Sequence, residues 1–326
     1  MEISNKPIIY LDWNIFNKLE QVEELEDEQK APYVLLAKLI IQKELIAPYS
    51  NAHINDLLRG YQKDPSYTPR HVSYLSFYTD NLCLTQYWGE SKIRWHFRDP
   101  MECLQSAIQE NDGTAASFSQ LFADLDNPLA EMAFDLQKTV LRLTPVPPAF
   151  KQLYAFNPIF NTIYPRTKIE MNHLALCEDI YEFSFKIKND YTLYKHFRKF
   201  LIETKNKYPQ YRNLCNSAEN KVIGKPLSLT WDELWDEVAT KHKPSSNLAY
   251  DKIMNLFTTT DLKGYRQDER FANLIDDALH CFYAAHCDHF ITLDKRCYDK
   301  AKLVYQKLNI PTQVHTPLEF SINQLK

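Results

Sequence analysis

Glycine is scarce in this chain. Five positions in 326 residues leave little material for a loop-rich β architecture and favour a fold dominated by helices. Long apolar runs are missing too. The most apolar early stretch, residues 33–41, is interrupted by Lys38 and falls far short of the ~20 residues that cross a bilayer. The N-terminus has no basic region followed by a hydrophobic run, so no targeting segment is read, and a cytoplasmic protein with no membrane partner is expected. The seven cysteines are odd in number and contain no C-x-x-C pair, which points to reduced, intracellular thiols rather than a disulfide framework. Positive charge is not in excess either: a formal charge of −4 confines any nucleic-acid-binding surface to a local patch. No internal repeat or low-complexity tract is evident.

What the chain does have is apolar material, 44% hydrophobic and 13% aromatic, enough for the core of one large or two ordinary domains. Its most informative stretch lies near the end. Leu274, Ile275, Ala278, Leu279, Phe282 and Ala285 recur at the helical period and predict an amphipathic helix, with Asp277, His280 and Ala284 on another stripe. A turn at Cys287 and Asp288, the latter expected to cap the helix end, leads into His289-Phe-Ile-Thr-Leu, a buried strand that ends on Asp294. The start of the chain mirrors this. Pro7-Ile-Ile-Tyr-Leu11 is too short for a helix and reads as a strand ending on Asp12, with Asn14 placed to cap the helix that follows. Residues 44–49 read as a third strand, and Ser50-Asn51 as the cap of a helix over 51–62 that carries His53, Asp56 and Arg59. Carboxylates therefore emerge where strands end, the edge at which open α/β sheets bind ligands.

These residues together resemble a PIN-domain nuclease: strand-Asp12-x-Asn14, strand-Ser50 followed by Asp56-Leu-Leu-Arg-Gly60, Asp277-x-x-His280 on a helix, and Ile291-Thr-x-Asp294. The resemblance implies a three-layer α/β/α core with a central parallel sheet and an acidic cluster that binds Mg²⁺ or Mn²⁺. It also implies hydrolysis of phosphodiester bonds, most often in single-stranded RNA. Position by position, Asp12, Asp56, Asp277 and Asp294 match the acidic positions, and Asn14 and Thr292 the polar residues that support them. The second acid departs from the family's more common Glu by one methylene. The match covers about residues 1–90 and 265–326, so the domains expected are a split core around a mostly helical insertion over 91–264. A PIN-like core with an unusual insertion suggests a toxin or defence role by analogy, and leaves room for an inhibitory protein partner or a homo-oligomer.

The chemistry argues in the same direction. Hydrolysing a phosphodiester requires activating a water and stabilising charge on the leaving oxygen, which hard divalent cations held by carboxylates do. Mg²⁺ prefers oxygen ligands, so several aspartates suit it better than a His/Cys cage. Four converging carboxylates without a cation would repel one another and raise their pKa values. Asp276 is the rival of Asp277, but it points about 100° away around the helix. His280 would shuttle a proton or orient a carboxylate, and His53 lies close enough in sequence to Asp56 to touch phosphate. Arg59 and Lys295 are candidate phosphate contacts. Zinc is not expected from His280, Cys281, His286 and Cys287, whose spacing fits no tetrahedral pattern.

Elsewhere helices are expected over 32–43, 71–81, 100–110, 115–143, 166–189, 191–206, 230–241 and 247–259, and a further strand over 82–88. The acidic run from Glu20 to Glu28 reads as a solvated face. Residues 186–225 are rich in Lys and Arg, Lys195, Arg198 and Lys199 among them, with Tyr191, Tyr194, Phe197, Tyr208 and Tyr211 interleaved. Cations for phosphates and aromatic faces for bases make a single-stranded RNA groove. A lysine-rich helix with core-facing aromatics has the same pattern. Two other functions stay open: a non-catalytic binding scaffold on a PIN-like core, and an aspartate-nucleophile phosphatase using Asp12. Phosphatases of the haloacid dehalogenase type place a second Asp where this chain has Asn14.

Overall fold

The structure, a computed structural model, describes residues 6–87, 90, 92–111, 118, 128–216, 228–234 and 249–324. It divides into two compact units. The first comprises Met1–Asp112, Ala239–Asp268 and Asn273–Lys326; the second comprises Gly113–Val238 and Glu269–Ala272. The chain runs β1 (Ile9–Leu11), α1 (Trp13–Glu20), α2 (Asp27–Ile41), β2 (Tyr49–Ser50), α3 (Asn51–Lys63), α4 (Thr68–Thr79), β3 (Leu82–Thr85), β4 (Arg94–Phe97) and α5 (Pro100–Asn111). The helices of the second unit follow: α6 (Pro128–Leu143), α7 (Ala149–Phe156), α8 (Phe160–Ile163), α9 (Thr167–Glu170), α10 (His173–Asn189), α11 (Tyr191–Asn206) and α12 (Tyr208–Cys215). Then come α13 (Ala249–Leu262), α14 (Phe271–Ala284), β5 (His289–Ile291), α15 (Lys295–Leu308), β6 (Gln313–His315) and α16 (Pro317–Gln324). The fold is mixed α/β and mostly helical. Among the described residues no helix is long and apolar enough to cross a membrane.

Two three-stranded sheets organise the first unit. In one, β1 pairs in parallel with β5, and β5 in parallel with β6. In the other, β2 is parallel to β3, and β4 runs antiparallel to β3. A single parallel bridge between Ile8 and Ile46 joins them, through Ile9 N–H to the Ile46 carbonyl at 2.8 Å and Ile46 N–H to the Pro7 carbonyl at 3.1 Å. The ladder stops there because Pro48 has no N–H to donate, so the strand expected over 44–49 is reduced to Tyr49–Ser50. β1 lies between the two sheets, and the chain leaves it toward β2 and later returns beside it as β5. Its carboxyl end is thus a topological switch point, with the ends of β2 and β5 at the same edge.

The core is what the apolar strands require. Ile9, Leu11, Leu36, Tyr49, Leu57, Leu75, Ile291 and Phe320 belong to one buried cluster, and β1 has no exposed residue. Asp288 accepts the Ile8 N–H at 2.7 Å, so it starts the β1 pairing instead of capping the preceding helix. Glu20 is not part of a solvated face. Its side chain is buried and ion-paired with Arg70 at 2.6 Å and His71 at 2.6 Å, which ties α1 to α4. The stretch expected as an insertion, 91–264, falls partly in the first unit, because β4 pairs with β3, α5 packs on α3, and α13 packs along α15. β4 is half exposed, so backbone pairing specifies it more than any burial pattern does. Of the expected helices, residues 115–117, 119–127, 235–241 and 247–248 lie outside the described residues.

Candidate functional site

Asp12 leaves the end of β1 at the N-cap position of α1, yet its carboxylate makes no cap bond to the helix backbone. It faces inward. Oδ2 accepts from Thr292 Oγ1 at 2.5 Å and from Asn14 Nδ2 at 2.6 Å. Asn14 is therefore not the helix cap that its position suggests. Its Oδ1 accepts the Leu293 N–H at 3.1 Å, so one amide clamps the end of β1 to the end of β5. Burial raises the pKa of Asp12, Asp56 adds to the rise, and His280 and Thr292 oppose it.

Asp56, on α3, is held by two basic side chains. His280 Nε2 lies 2.8 Å from Oδ2, and Arg59 binds Oδ1. Arg59 also pairs with Asp276 at 2.5 Å, which gives Asp276 a partner distinct from the group around Asp277. Burial pushes Asp56 up, but the His280 bond and the His280 and Arg59 charges outweigh it, and its pKa falls. Burial pushes His280 down, and here the bond to Asp56 with the charges of Asp12, Asp56 and Asp276 prevails in the upward direction. The imidazolium so favoured donates at both nitrogens, with Nδ1 3.0 Å from Tyr10 Oη, whose hydroxyl lies 2.6 Å from Ser50 Oγ.

His53 sits behind this pair and is fully buried. Its Nε2 donates to the Leu11 carbonyl at 2.7 Å, and Nδ1 accepts the Ser50 N–H at 3.0 Å. It takes the Glu/Gln place of a capping box at the start of α3. Burial, with the nearby His280 charge, lowers its pKa to about 3, so it is neutral and closed to phosphate.

The His280–Asp56 pair has a definite pH signature. A raised histidine contributes stability below its unfolded value, about 6.5, and loses it as pH rises through the folded value. A depressed aspartate contributes above about 3.9 and loses it as pH falls through its own folded value. His280→Gln is expected to destabilise the protein by about 3 kcal/mol between those limits, with the deficit shrinking toward alkaline pH. Urea midpoints of both proteins across pH test this, and a deficit independent of pH would contradict a charged pair.

The third group lies around Asp277. Asp294 caps α15, its Oδ1 accepting from Arg296 N at 2.7 Å and Cys297 N at 3.1 Å. Asp277, partly buried on α14, receives no hydrogen bond from the described residues. Burial, then the carboxylates of Asp268, Asp12 and Asp294, push its pKa well above the usual range against the pull of Lys300. Lys300, Asp261 and Asp268 were not apparent from the sequence. Lys300 has no exposed surface and pairs with Asp261 at 2.9 Å and with Asp268. Gly264, at φ +103°, turns the chain after α13 so that the Asp268 N–H reaches Asp261 Oδ2 at 2.7 Å. Burial raises Asp268 to about 6, with Asp261 and Asp294 adding to the rise against the pull of Lys300. The signal was present in α15, where Cys297, Lys300, Ala301, Val304 and Tyr305 are buried: a lysine on an apolar stripe.

The remaining candidates are elsewhere. Lys295 is exposed at the start of α15. Lys195, Arg198 and Lys199 are on α11 in the second unit, where Lys199 pairs with Glu203 at 3.7 Å and Arg198 lies over the Tyr194 ring. Tyr194 and Tyr208 are buried, so these two aromatics are core and not a stacking platform. Lys221 and Lys225 lie outside the described residues. The thiols of Cys281 and Cys287 are buried, with pKa values raised by that burial, which disfavours the thiolate that zinc needs. A hollow of about 550 Å³ between α15, β6 and α16 includes none of the four acids.

No set of three or more His, Cys, Asp or Glu side chains among the described residues is already arranged as a metal cage. The donor chemistry nonetheless suits a hard cation: oxygen-only, anionic and partly buried, with Lys300 opposing the rise of Asp277. Fold and site together define a mixed α/β protein with an acidic centre at the switch point of its parallel strands. No family model, curated protein or solved structure matches this chain.

Proposed function

We propose that the chain is a metal-dependent phosphodiesterase, specifically an endoribonuclease acting on single-stranded RNA. The observation that carries this reading is Asp277, a carboxyl raised by burial and by three other carboxylates and given no hydrogen-bond donor among the described residues. Such a group calls for a cation from outside the chain. Asp12, Asp277 and Asp294 would hold Mg²⁺ or Mn²⁺, which when bound supplies an activated water and neutralises charge on the phosphate. Thr292 and Asn14 fix Asp12 in place. Asp56, with both oxygens engaged, acts from behind by anchoring the His280 charge 3.9 Å from Asp12 Oδ1. With both ring nitrogens engaged and the ring buried, His280 acts by positioning Asp12 and Asp56.

The test is cleavage of end-labelled single-stranded RNA and DNA with Mg²⁺, Mn²⁺ or EDTA. Cutting of RNA that needs metal supports the reading; no cutting under any metal removes it. Binding alone gives a further expectation. Asp277 must lose its proton to bind, so Mn²⁺ affinity is expected to rise with pH above the ordinary carboxylate range, by at most about tenfold per unit for one proton. Calorimetric titration at several pH values measures this, and a flat profile would exclude Asp277 as a ligand.

A further inference from the structure

β6 is the outer strand of its sheet, with β5 on one side and, among the described residues, no strand on the other. Its ladder uses alternate residues. The Gln313 N–H donates to the Asp288 carbonyl at 2.9 Å, and the His315 carbonyl accepts the Thr292 N–H at 3.1 Å. The N–H and carbonyl of Val314, between them, therefore point away from β5. Val314 is 5% exposed, and neither group has a partner among the described residues. Buried main-chain groups left unpaired are rare.

The hollow of about 550 Å³ between α15, β6 and α16 runs along this edge, and Gln313, Val314 and His315 all line it. Its size falls within the ~300–1,000 Å³ of ligand clefts. Alternation puts the Gln313 and His315 side chains on one face of the sheet and Val314 on the other, so the hollow lies where a next strand would pair. A second unpaired group is found there. His315 is 9% exposed, and its Nε2 is sealed from solvent without a hydrogen bond.

The walls say what fits. An extended residue shows one donor and one acceptor on the same side, at the spacing that another extended residue repeats. The charged lining residues are Lys302 and Glu319, one of each sign, and Tyr298 links them. Lys302 Nζ donates to Tyr298 Oη, which donates to Glu319 at 2.9 and 3.0 Å. A wall without net charge does not favour a phosphate backbone. Carboxamides from Gln306, Gln313 and Asn323 supply donors and acceptors matched to main-chain amides. A second copy would bring its own two helices with its β6, too broad for an edge held between helices.

We propose that this hollow takes an extended, uncharged peptide segment of a partner protein, which pairs with Val314 as an added strand and sets a side chain against His315. The site lies in the first unit and is independent of the metal reading.

The probe is a displayed library of uncharged peptides of ~8 residues, enough for one edge strand, selected against the full chain. Binding is read by fluorescence anisotropy and by hydrogen exchange at the Val314 amide, which is expected to slow when peptide binds. Val314→Pro removes the outward N–H, keeps the bonds to β5, and stands where an edge strand tolerates proline. It is expected to weaken binding at least about tenfold, the loss that follows when a buried acceptor goes unmet. Methylating the peptide nitrogen that pairs with Val314 is expected to do the same with the unaltered protein, which separates lost pairing from misfolding. A library without a binder sensitive to Val314→Pro overturns the proposal, as does a binder indifferent to methylation at every peptide nitrogen. Adenosine and oligouridine are expected to leave Val314 exchange unchanged. Slowing by either would assign the hollow to a base or to RNA and overturn the peptide reading.

Discussion

Asp277→Asn is expected to abolish metal-dependent cleavage while making the metal-free protein more stable. A Lewis-acid ion contributes several kcal/mol to phosphodiester hydrolysis, and each 1.4 kcal/mol is tenfold in rate, so the loss is at least about 1000-fold. The stability gain follows from the site itself. Asp277 is raised by burial and by Asp268, Asp12 and Asp294, so folding disfavours its ionised form. A neutral amide of nearly the same shape removes that repulsion and is expected to add about 1 kcal/mol. A carboxyl with a raised folded pKa favours the native state at low pH and opposes it as pH rises, so the gain should vanish in acid. Urea unfolding at pH 4 and pH 7, beside the RNA assay with Mn²⁺, tests both halves. Activity that survives the change would eliminate Asp277 as a ligand. A loss of activity with a loss of stability would point to structural damage instead.

Lys300→Met is expected to act in the opposite way, lowering stability by about 3–5 kcal/mol, because breaking a buried pair leaves uncompensated charge behind. Lys300 is fully buried, bonds Asp261 at 2.9 Å and Asp268, and sits 4.6 Å from the centre of the Phe257 ring. Met preserves the length of the stem and removes the charge. Asp261 and Asp268 then lose the lysine they share. Adding Asp268→Asn to Lys300→Met is expected to recover part of the loss, since it removes one of the two buried carboxylates the lysine served. Thermal and urea unfolding measure both variants. A single variant within 1 kcal/mol of the parent would show that the lysine is not the clasp between α13 and α15.

These two residues show where a sequence speaks and where it is silent. Asp277 was visible because it stands three residues before His280 on an amphipathic helix, next to a strand that ends on Asp294. Lys300 was not, because the partners that make it a core residue come from α13 and the turn after it. The same holds for Asn14: its position suggests a cap, and its observed partners, Asp12 and Leu293, depend on β1 and β5 lying side by side. The interleaved aromatics of residues 191–211 suited either a stacking platform or a core, and burial of Tyr194 and Tyr208 decided those two.

The sequence by itself determined the local elements that carry the acids. A strand of continuous apolar residues ending on Asp12, an amphipathic helix bearing Asp277 and His280, and a strand leading to Asp294 follow from periodicity, which depends only on near neighbours. Tertiary structure decided the charge state of each acid. Asp56 is depressed by His280 and Arg59, Asp277 is raised by burial and by three carboxylates, and Asp268 is raised by burial although Lys300 binds it. Electrostatic environment is a sum over groups brought together from distant parts of the chain, at burial depths that only the packed fold defines.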